Sequence, residues 1–138
     1  MPNLMTNTER LWGSLMEIAR IGATDKGGSR RLALTDLDRE ARDLFVSWCE
    51  MAGCSVSVDR MGNIFARRPG IDDSLEPVVA GSHLDTQPNG GKFDGVFGVL
   101  AALESIRALN DRNVKTNRPV EVVCWTNEEG SRFAPAMI

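Results

Sequence analysis

The chain of 138 residues contains only one histidine, His83, and only three cysteines. Cys49, Cys54 and Cys124 are odd in number and form no C-x-x-C pair, which argues against a disulfide framework. The pattern is typical of a chain that is kept reduced in the cytoplasm. We therefore predict a cytoplasmic protein whose cysteines are small buried hydrophobic residues.

The sequence also lacks the features that direct a protein to membranes or to nucleic acid. Residues 1–10 show neither the basic region nor the apolar core of a signal peptide. The longest apolar run, residues 95–103, is about half as long as the roughly 18 residues of a membrane span. A net charge of -3 provides no basic surface for nucleic acid. The arginine pairs 30–31 and 67–68 are interpreted as solvated charges of loops and strand ends.

The residues that are present match an ordinary globular domain, with 42% hydrophobic and 25% charged residues. A length of 138 residues is enough for one domain with a core. Apolar residues at helical spacing predict helices over residues 6–22, ending at Gly22 and with Trp12 widening the buried stripe, and over residues 36–52, with Thr35 as N-cap. A third, strongly apolar helix is predicted to begin at residues 94–95, and its stripe consists of Val96, Val99, Leu100, Leu103 and Ile106.

Four short segments have the pattern of strands. Alternation predicts a hairpin formed by residues 55–59 and 64–67. The continuous apolar runs 77–81 and 120–125 predict strands with both faces covered. The strand–helix–strand order predicts a right-handed parallel crossover and therefore an α/β protein. The polar residues 23–33 are predicted to form a loop, and the sequence leaves its function open.

The two continuous strands are each followed by side chains that can bind a metal ion. His83 and Asp85 follow the first strand, and Glu128 and Glu129 follow the second. Ligands bind at the carboxyl ends of strands in open α/β sheets, so we predict a hydrolytic metal site at this edge. Residues two apart face the same side of an extended segment, so the Asp85 carboxylate could hold one His83 ring nitrogen while the other binds metal.

Three other carboxylates complete the predicted site. Asp94 precedes a glycine at a helix start, where it could bridge two cations or act as a simple N-cap. Glu128 and Glu129 are adjacent and cannot point the same way from a regular strand. One could bind metal while the other takes a proton from water. The alternatives stay open: a structural histidine and a solvated acidic turn.

Three segments resemble the hydantoinase/carbamoylase-type amidases of the M20 clan of di-metal, exopeptidase-like enzymes. They are residues 81–86 (GSHLDT), 90–95 (GGKFDG) and 127–133 (NEEGSRF). The family includes N-carbamoyl-L-amino-acid hydrolases, allantoate amidohydrolases and β-ureidopropionases. The helix 36–52 and the hairpin residues 60–64 also resemble the segments that precede the metal motif there. The resemblance runs from about residue 10 to the end of the chain.

The resemblance implies a role for each candidate residue. His83 would bind one metal ion, Asp85 would orient His83, and Asp94 would bridge two divalent ions, which could be zinc, manganese, cobalt or nickel. Glu128 would be the general base and Glu129 would bind the second ion. The implied reaction is hydrolysis of a linear amide or ureido bond in a small-molecule substrate. The implied fold is the N-terminal part of a three-layer α/β/α domain with a mostly parallel sheet.

The chain departs from that family in its length. Family members are much longer, supply further ligands that include two more histidines, and carry an inserted dimerisation domain. Residues 1–138 would therefore be the N-terminal portion of the metal-binding catalytic domain, with an exposed sheet edge. A homodimer is expected for the full-length family. The competing interpretations are a metallo-exopeptidase of the same clan and a non-catalytic truncated fragment.

Overall fold

The computed structural model describes residues 4–137, which form three helices and one four-stranded sheet. The elements in chain order are α1 (Thr8–Ile18), α2 (Asp36–Met51), β1 (Ser55–Val58), β2 (Ile64–Arg68), β3 (Val78–His83), α3 (Val96–Asp111) and β4 (Val120–Trp125). The strands lie side by side in the order β1-β2-β4-β3. The predicted α/β class is confirmed.

The sheet combines parallel and antiparallel pairs. β3 and β4 are parallel, with α3 as the connection between them, as the strand–helix–strand order predicted. β1 and β2 form the predicted hairpin, and β2 also pairs antiparallel with β4. The mostly parallel sheet implied by the resemblance is therefore found only in the β3–β4 pair of the described residues, because the hairpin places its returning arm beside β4.

The hydrophobic core is one cluster on one face of the sheet. Alternate residues of the two central strands point into it: Ile64, Ala66, Val122 and Cys124. All three helices pack on this face, and α3 contributes the complete apolar stripe predicted from its spacing: Val96, Val99, Leu100, Leu103 and Ile106. The described residues thus supply the sheet and one helical layer. None of the described helices has the length and apolarity that crossing a membrane requires.

The first helix is shorter than predicted. α1 starts after Asn7, whose side chain accepts the Arg10 N–H, and it ends at Ile18 instead of continuing to Gly22. Beyond Ile18 the backbone forms turns, and Gly22 has a φ of +73°. Trp12, predicted to widen the buried stripe, is 55% exposed. A short helix has room to bury only its central stripe against α3.

The edge strand β3 differs from the prediction that both of its faces are covered. Val78 and Val79 are 57% and 49% exposed. β4, which lies between β2 and β3, is largely buried. The difference arises because β3 pairs with β4 on one side only within residues 4–137 and has helices on one face. A continuous apolar run therefore identified the strand but not its position at the edge.

The prediction that the cysteines are buried is confirmed. Cys49, Cys54 and Cys124 are all buried free thiols. Burial raises the pKa of the Cys54 thiol, and it raises the pKa of the Cys124 thiol to about 12. A high pKa keeps a thiol protonated at neutral pH and therefore unreactive.

Arg10 of α1 and Glu104 of α3 form an ion pair that should stabilise the packing of these helices. The buried Glu104 carboxylate accepts bonds of 2.8 Å from Arg10 Nε and Nη2 and from the Asn7 backbone N–H. Arg10→Met should lower the free energy of unfolding by about 3 kcal/mol, because it leaves a buried charge without its cation. Urea denaturation would measure the change. Arg39→Met, which removes an exposed pair with Asp36, is the control and should change it by less than about 0.5 kcal/mol. Equal effects of the two substitutions would contradict this assignment.

Candidate active site

The predicted site lies where β3 and β4 end side by side. The two strands are parallel, and His83 at the end of β3 is paired with Trp125 at the end of β4. The chain remains buried beyond both ends, at Leu84–Thr86 and at Thr126–Asn127. The two strand ends that carry the candidate residues are therefore neighbours, as predicted.

The Asp85 carboxylate joins the two strand ends. It is 3% exposed, and its oxygens accept the backbone N–H groups of Glu128 and Glu129 at 3.2 Å each. The sequence had predicted a bond from this carboxylate to His83. The distance from His83 Nδ1 to Asp85 Oδ1 is 3.8 Å, which is too long for a hydrogen bond. Both carboxylate oxygens are instead used to hold the turn after β4.

His83 is oriented by the backbone of Asp85. Its Nδ1 lies 2.8 Å from the Asp85 carbonyl oxygen, which can only accept, so Nδ1 carries the proton. Nε2 of the neutral ring then presents a lone pair, and it lies 3.3 Å from Glu128 Oε2. The imidazole is therefore held in the tautomer that can bind a metal ion through Nε2.

Gly95 sets the position of the candidate ligand Asp94 relative to His83. A Cβ added at Gly95 would lie 2.4–2.6 Å from the His83 ring, and its φ is +67°, so only glycine fits here. The ordinary alternative for Asp94, an N-cap, is wrong: Gly95 is the N-cap of α3, and no side chain caps this helix in the described chain. Asp94, the residue before Gly95, is exposed.

The two adjacent glutamates point to different partners. Glu128 is 41% exposed in its side chain and faces His83, whereas Glu129 Oε2 accepts a bond of 2.9 Å from Gln87. The other oxygen, Glu129 Oε1, is buried and has no hydrogen-bond partner among residues 4–137. A buried carboxylate oxygen without a donor is costly unless a cation or a donor reaches it.

The donor atoms fit a divalent metal ion in kind but not in number. An imidazole nitrogen and carboxylate oxygens are ligands that zinc and similar ions accept. Within residues 4–137, however, no group of three or more His, Cys, Asp or Glu side chains could hold an ion. His83, Glu128 and Glu129 are brought to one edge, and Asp94 follows at the start of α3.

The turn of the β1–β2 hairpin supports the end of β4. Asn63 Oδ1 accepts the Thr126 N–H at 2.8 Å, and Asp59 holds the turn through the N–H groups of Met61 and Asn63. Asn127 follows with a φ of +57°, a conformation that asparagine tolerates. The hairpin therefore positions the segment that carries the two glutamates.

Sequence reasoning missed three residues near the site. Gln87 and Gly95 gave no signal beyond their neighbourhood to the motif. Arg31 was interpreted as a solvated loop charge, and this is wrong because the residue is 0% exposed. Arg68 is likewise partly buried, with its guanidinium on Asn110 and on the Val114 carbonyl. An arginine in a polar loop carries no local sign that the loop will fold over it.

Comparison with known proteins finds that the chain is similar to parts of proteins named as hydrolases. The model for peptidase family M20/M25/M40 matches residues 79–138. The N-carbamoyl-L-amino-acid amidohydrolase of Rhizobium meliloti is 59% identical over 136 residues, which are 99% of this chain and 33% of that protein. The ureidoglycolate hydrolase of Arabidopsis thaliana is 34% identical over 131 residues, 95% of this chain and 28% of that protein. This chain thus spans about one third of the length of the curated relatives it matches.

Solved structures agree with this placement. The crystal structure of a hydantoinase/carbamoylase family amidase from Burkholderia ambifaria superposes with a TM-score of 0.95 at 63% identity, covering 96% of this chain and 33% of that chain. The aminopeptidase PepT from Bacillus cereus superposes with a TM-score of 0.70 at 20% identity, over 90% of this chain and 38% of that chain. The second likeness shows the fold alone.

Proposed function

We propose that this chain belongs to the hydantoinase/carbamoylase family of amidases and that the whole protein is a metal-dependent amidohydrolase. Its substrate would be an N-carbamoyl-L-amino acid or an allantoate-like compound with a linear C–N bond. The observation that carries the proposal is the junction at Asp85, which ties the glutamate turn to the strand end that presents His83.

The proposed metal ligands in this chain are His83, Asp94 and Glu129. Enzymes of this family are generally metal-dependent. The unpartnered Glu129 Oε1, and the bond of His83 Nδ1 to the Asp85 carbonyl, which leaves Nε2 as the nitrogen for a ligand, support a cation here. Two divalent ions, when bound, would polarise the scissile carbonyl and make the attacking water more acidic. Zinc, manganese, cobalt and nickel all suit mixed nitrogen and oxygen ligands. Three ligands do not complete two shells, so the remaining ones would come from other parts of the whole protein.

Glu128 is the proposed general base. Its side chain is 41% exposed, so a substrate and a water can reach it. It would accept the proton of the attacking water and deliver it to the leaving nitrogen. Asp85 fixes the backbone of Glu128 and Glu129, which aims the two carboxylates in different directions. An N-carbamoyl amino acid and water would give the amino acid, carbon dioxide and ammonia.

Residues 1–138 are proposed to be the N-terminal portion of the catalytic domain and to be inactive when isolated. The exposed edge of β3 and the lack of a three-ligand cluster in the described residues favour this. On the basis of the family, we also propose that the whole protein is a cytoplasmic homodimer that acts on a small-molecule substrate. A peptidase function has less support, because the similarity to PepT extends only to the fold.

Ammonia release tests the proposed function. The whole protein, loaded in turn with zinc, manganese, cobalt or nickel, should release ammonia from N-carbamoyl-L-amino acids or allantoate and should leave dipeptides intact. A chelator should abolish the activity, and added metal should restore it, because the water would lose its activation without the ions. Hydrolysis of dipeptides without ammonia release would favour the exopeptidase. Activity that survives complete metal removal would contradict the proposed chemistry.

A further inference from the structure

Arg31 is the largest fully buried side chain of the described residues, and the proposed mechanism leaves it without a role. Its Nε donates to the Leu84 carbonyl at 3.1 Å, and its Nη1 donates to the Ile21 carbonyl at 2.8 Å. Nη1 also lies 3.4 Å from the Ile18 carbonyl. The guanidinium thus connects the end of α1 to the residue that directly follows His83.

The backbone of Arg31 holds the same segment from its other end. The Arg31 N–H donates to Thr86 Oγ1 at 2.8 Å, and the Thr86 N–H donates to the Arg31 carbonyl at 2.8 Å. Asp85 lies between Leu84 and Thr86. Its position is therefore bracketed by hydrogen bonds to one residue that is more than 50 positions earlier in the chain.

The charge of Arg31 also acts on this segment. Burial lowers the pKa of the Arg31 guanidinium, and the carboxylates of Asp38 and Asp85 oppose that change. Arginine nevertheless stays charged in proteins. A buried charge is costly unless it is compensated, and the direct hydrogen-bond partners of this guanidinium are backbone carbonyl groups. Of the Asp38 and Asp85 carboxylates, that of Asp85 is the group that accepts the two N–H groups of the glutamate turn.

We infer that Arg31 is a positioning residue of the site. By holding Leu84 and Thr86 it fixes Asp85, whose carbonyl sets the His83 tautomer and whose carboxylate sets the turn at Glu128–Glu129. The inference rests on the proposed function for its catalytic meaning. Its physical content, the control of the His83 ring, is independent of any substrate or metal.

The single histidine of this chain makes the inference directly measurable. With ¹⁵N-labelled histidine, the metal-free 138-residue chain should give one pair of ring signals from His83. In the parent, Nδ1 should carry a proton that is hydrogen-bonded to the Asp85 carbonyl oxygen. In Arg31→Met, the signals should shift toward an average of the two tautomers, because the Asp85 carbonyl is no longer held in place.

Arg107→Met is the matched control. Arg107 is partly buried on α3, donates to Ser14 Oγ at 3.2 Å and lies over the Trp48 ring, away from the motif. Its loss should lower the urea midpoint without changing the His83 signals. If Arg31→Met does not fold, Arg31→Lys decides, since an ammonium lacks the planar fork that reaches carbonyls on two sides.

A folded Arg31 variant with the parent His83 signals would overturn the inference and leave Arg31 a structural residue only. The same would follow if Arg107→Met shifted the signals equally, because the effect would then reflect general loosening. The ammonia assay reports on the proposed function separately. A parent that releases no ammonia would refute that function without changing the outcome for the His83 ring.

Discussion

Glu128→Gln should keep the metal content of the whole protein and lose nearly all turnover. Glutamine has the shape of glutamate but cannot accept a proton from water, and general-base catalysis contributes about 10²–10⁴-fold to rate. Glu128 is not among the proposed ligands, and its carboxylate faces the His83 ring edge at 3.3 Å. We therefore expect kcat to fall by about that factor while KM changes little. Steady-state ammonia release and elemental analysis of the same sample would measure both quantities.

The control for this substitution is Glu50→Gln, which removes an exposed charge near the end of α2. It should leave both turnover and metal content at the parent level. Near-normal turnover of Glu128→Gln would show that another group is the base. A loss of metal together with turnover would instead move Glu128 into the set of ligands.

Asp94→Ala should remove at least one metal ion from the whole protein and with it the activity. As one of the proposed ligands, the Asp94 carboxylate would help to hold the ions, so its loss should weaken metal binding. The structure makes the result interpretable, because the N-cap of α3 is Gly95 and no side chain caps that helix. The variant should therefore keep the parent stability, and a loss of metal cannot be attributed to unfolding of α3. Elemental analysis would measure the metal content of the variant, and urea denaturation would measure its stability.

Asp25→Ala is the matched control, since Asp25 is an exposed aspartate in the loop before Arg31. It should retain full metal content. Full metal occupancy in Asp94→Ala would remove Asp94 from the site, and a large fall in stability would make it a structural residue.

The strands that build the site could be identified from sequence because their signal is local. The apolar runs 77–81 and 120–125 became β3 and β4, which end at His83 and Trp125, and the polar side chains that follow each run stand out against it. The stripe of α3 was likewise predicted residue by residue, since a helix repeats its face every three to four positions. These features depend only on neighbours within a few residues.

The partner of the Asp85 carboxylate could not be predicted in the same way. Spacing placed it on the same side as His83, and a bond between the two side chains was expected. The fold brings the N–H groups of Glu128 and Glu129 to this carboxylate from 43 and 44 positions away. These two backbone N–H groups satisfy both carboxylate oxygens of Asp85, so the His83 ring bonds to the Asp85 backbone carbonyl instead. The spacing of neighbouring residues cannot reveal hydrogen-bond donors that another strand brings to the same carboxylate.

By itself the sequence determined the element types, the parallel β3–α3–β4 unit and the two strand ends where the candidate residues lie, because periodicity and apolar runs act over short distances. Only the tertiary structure decided that β2 inserts beside β4, that β3 is exposed at an edge, and that Arg31 is buried beneath the motif. These outcomes depend on which segments, distant in the sequence, pack against each other and exclude water. The physical reason is that burial and hydrogen-bond competition are properties of the assembled core, not of any one segment.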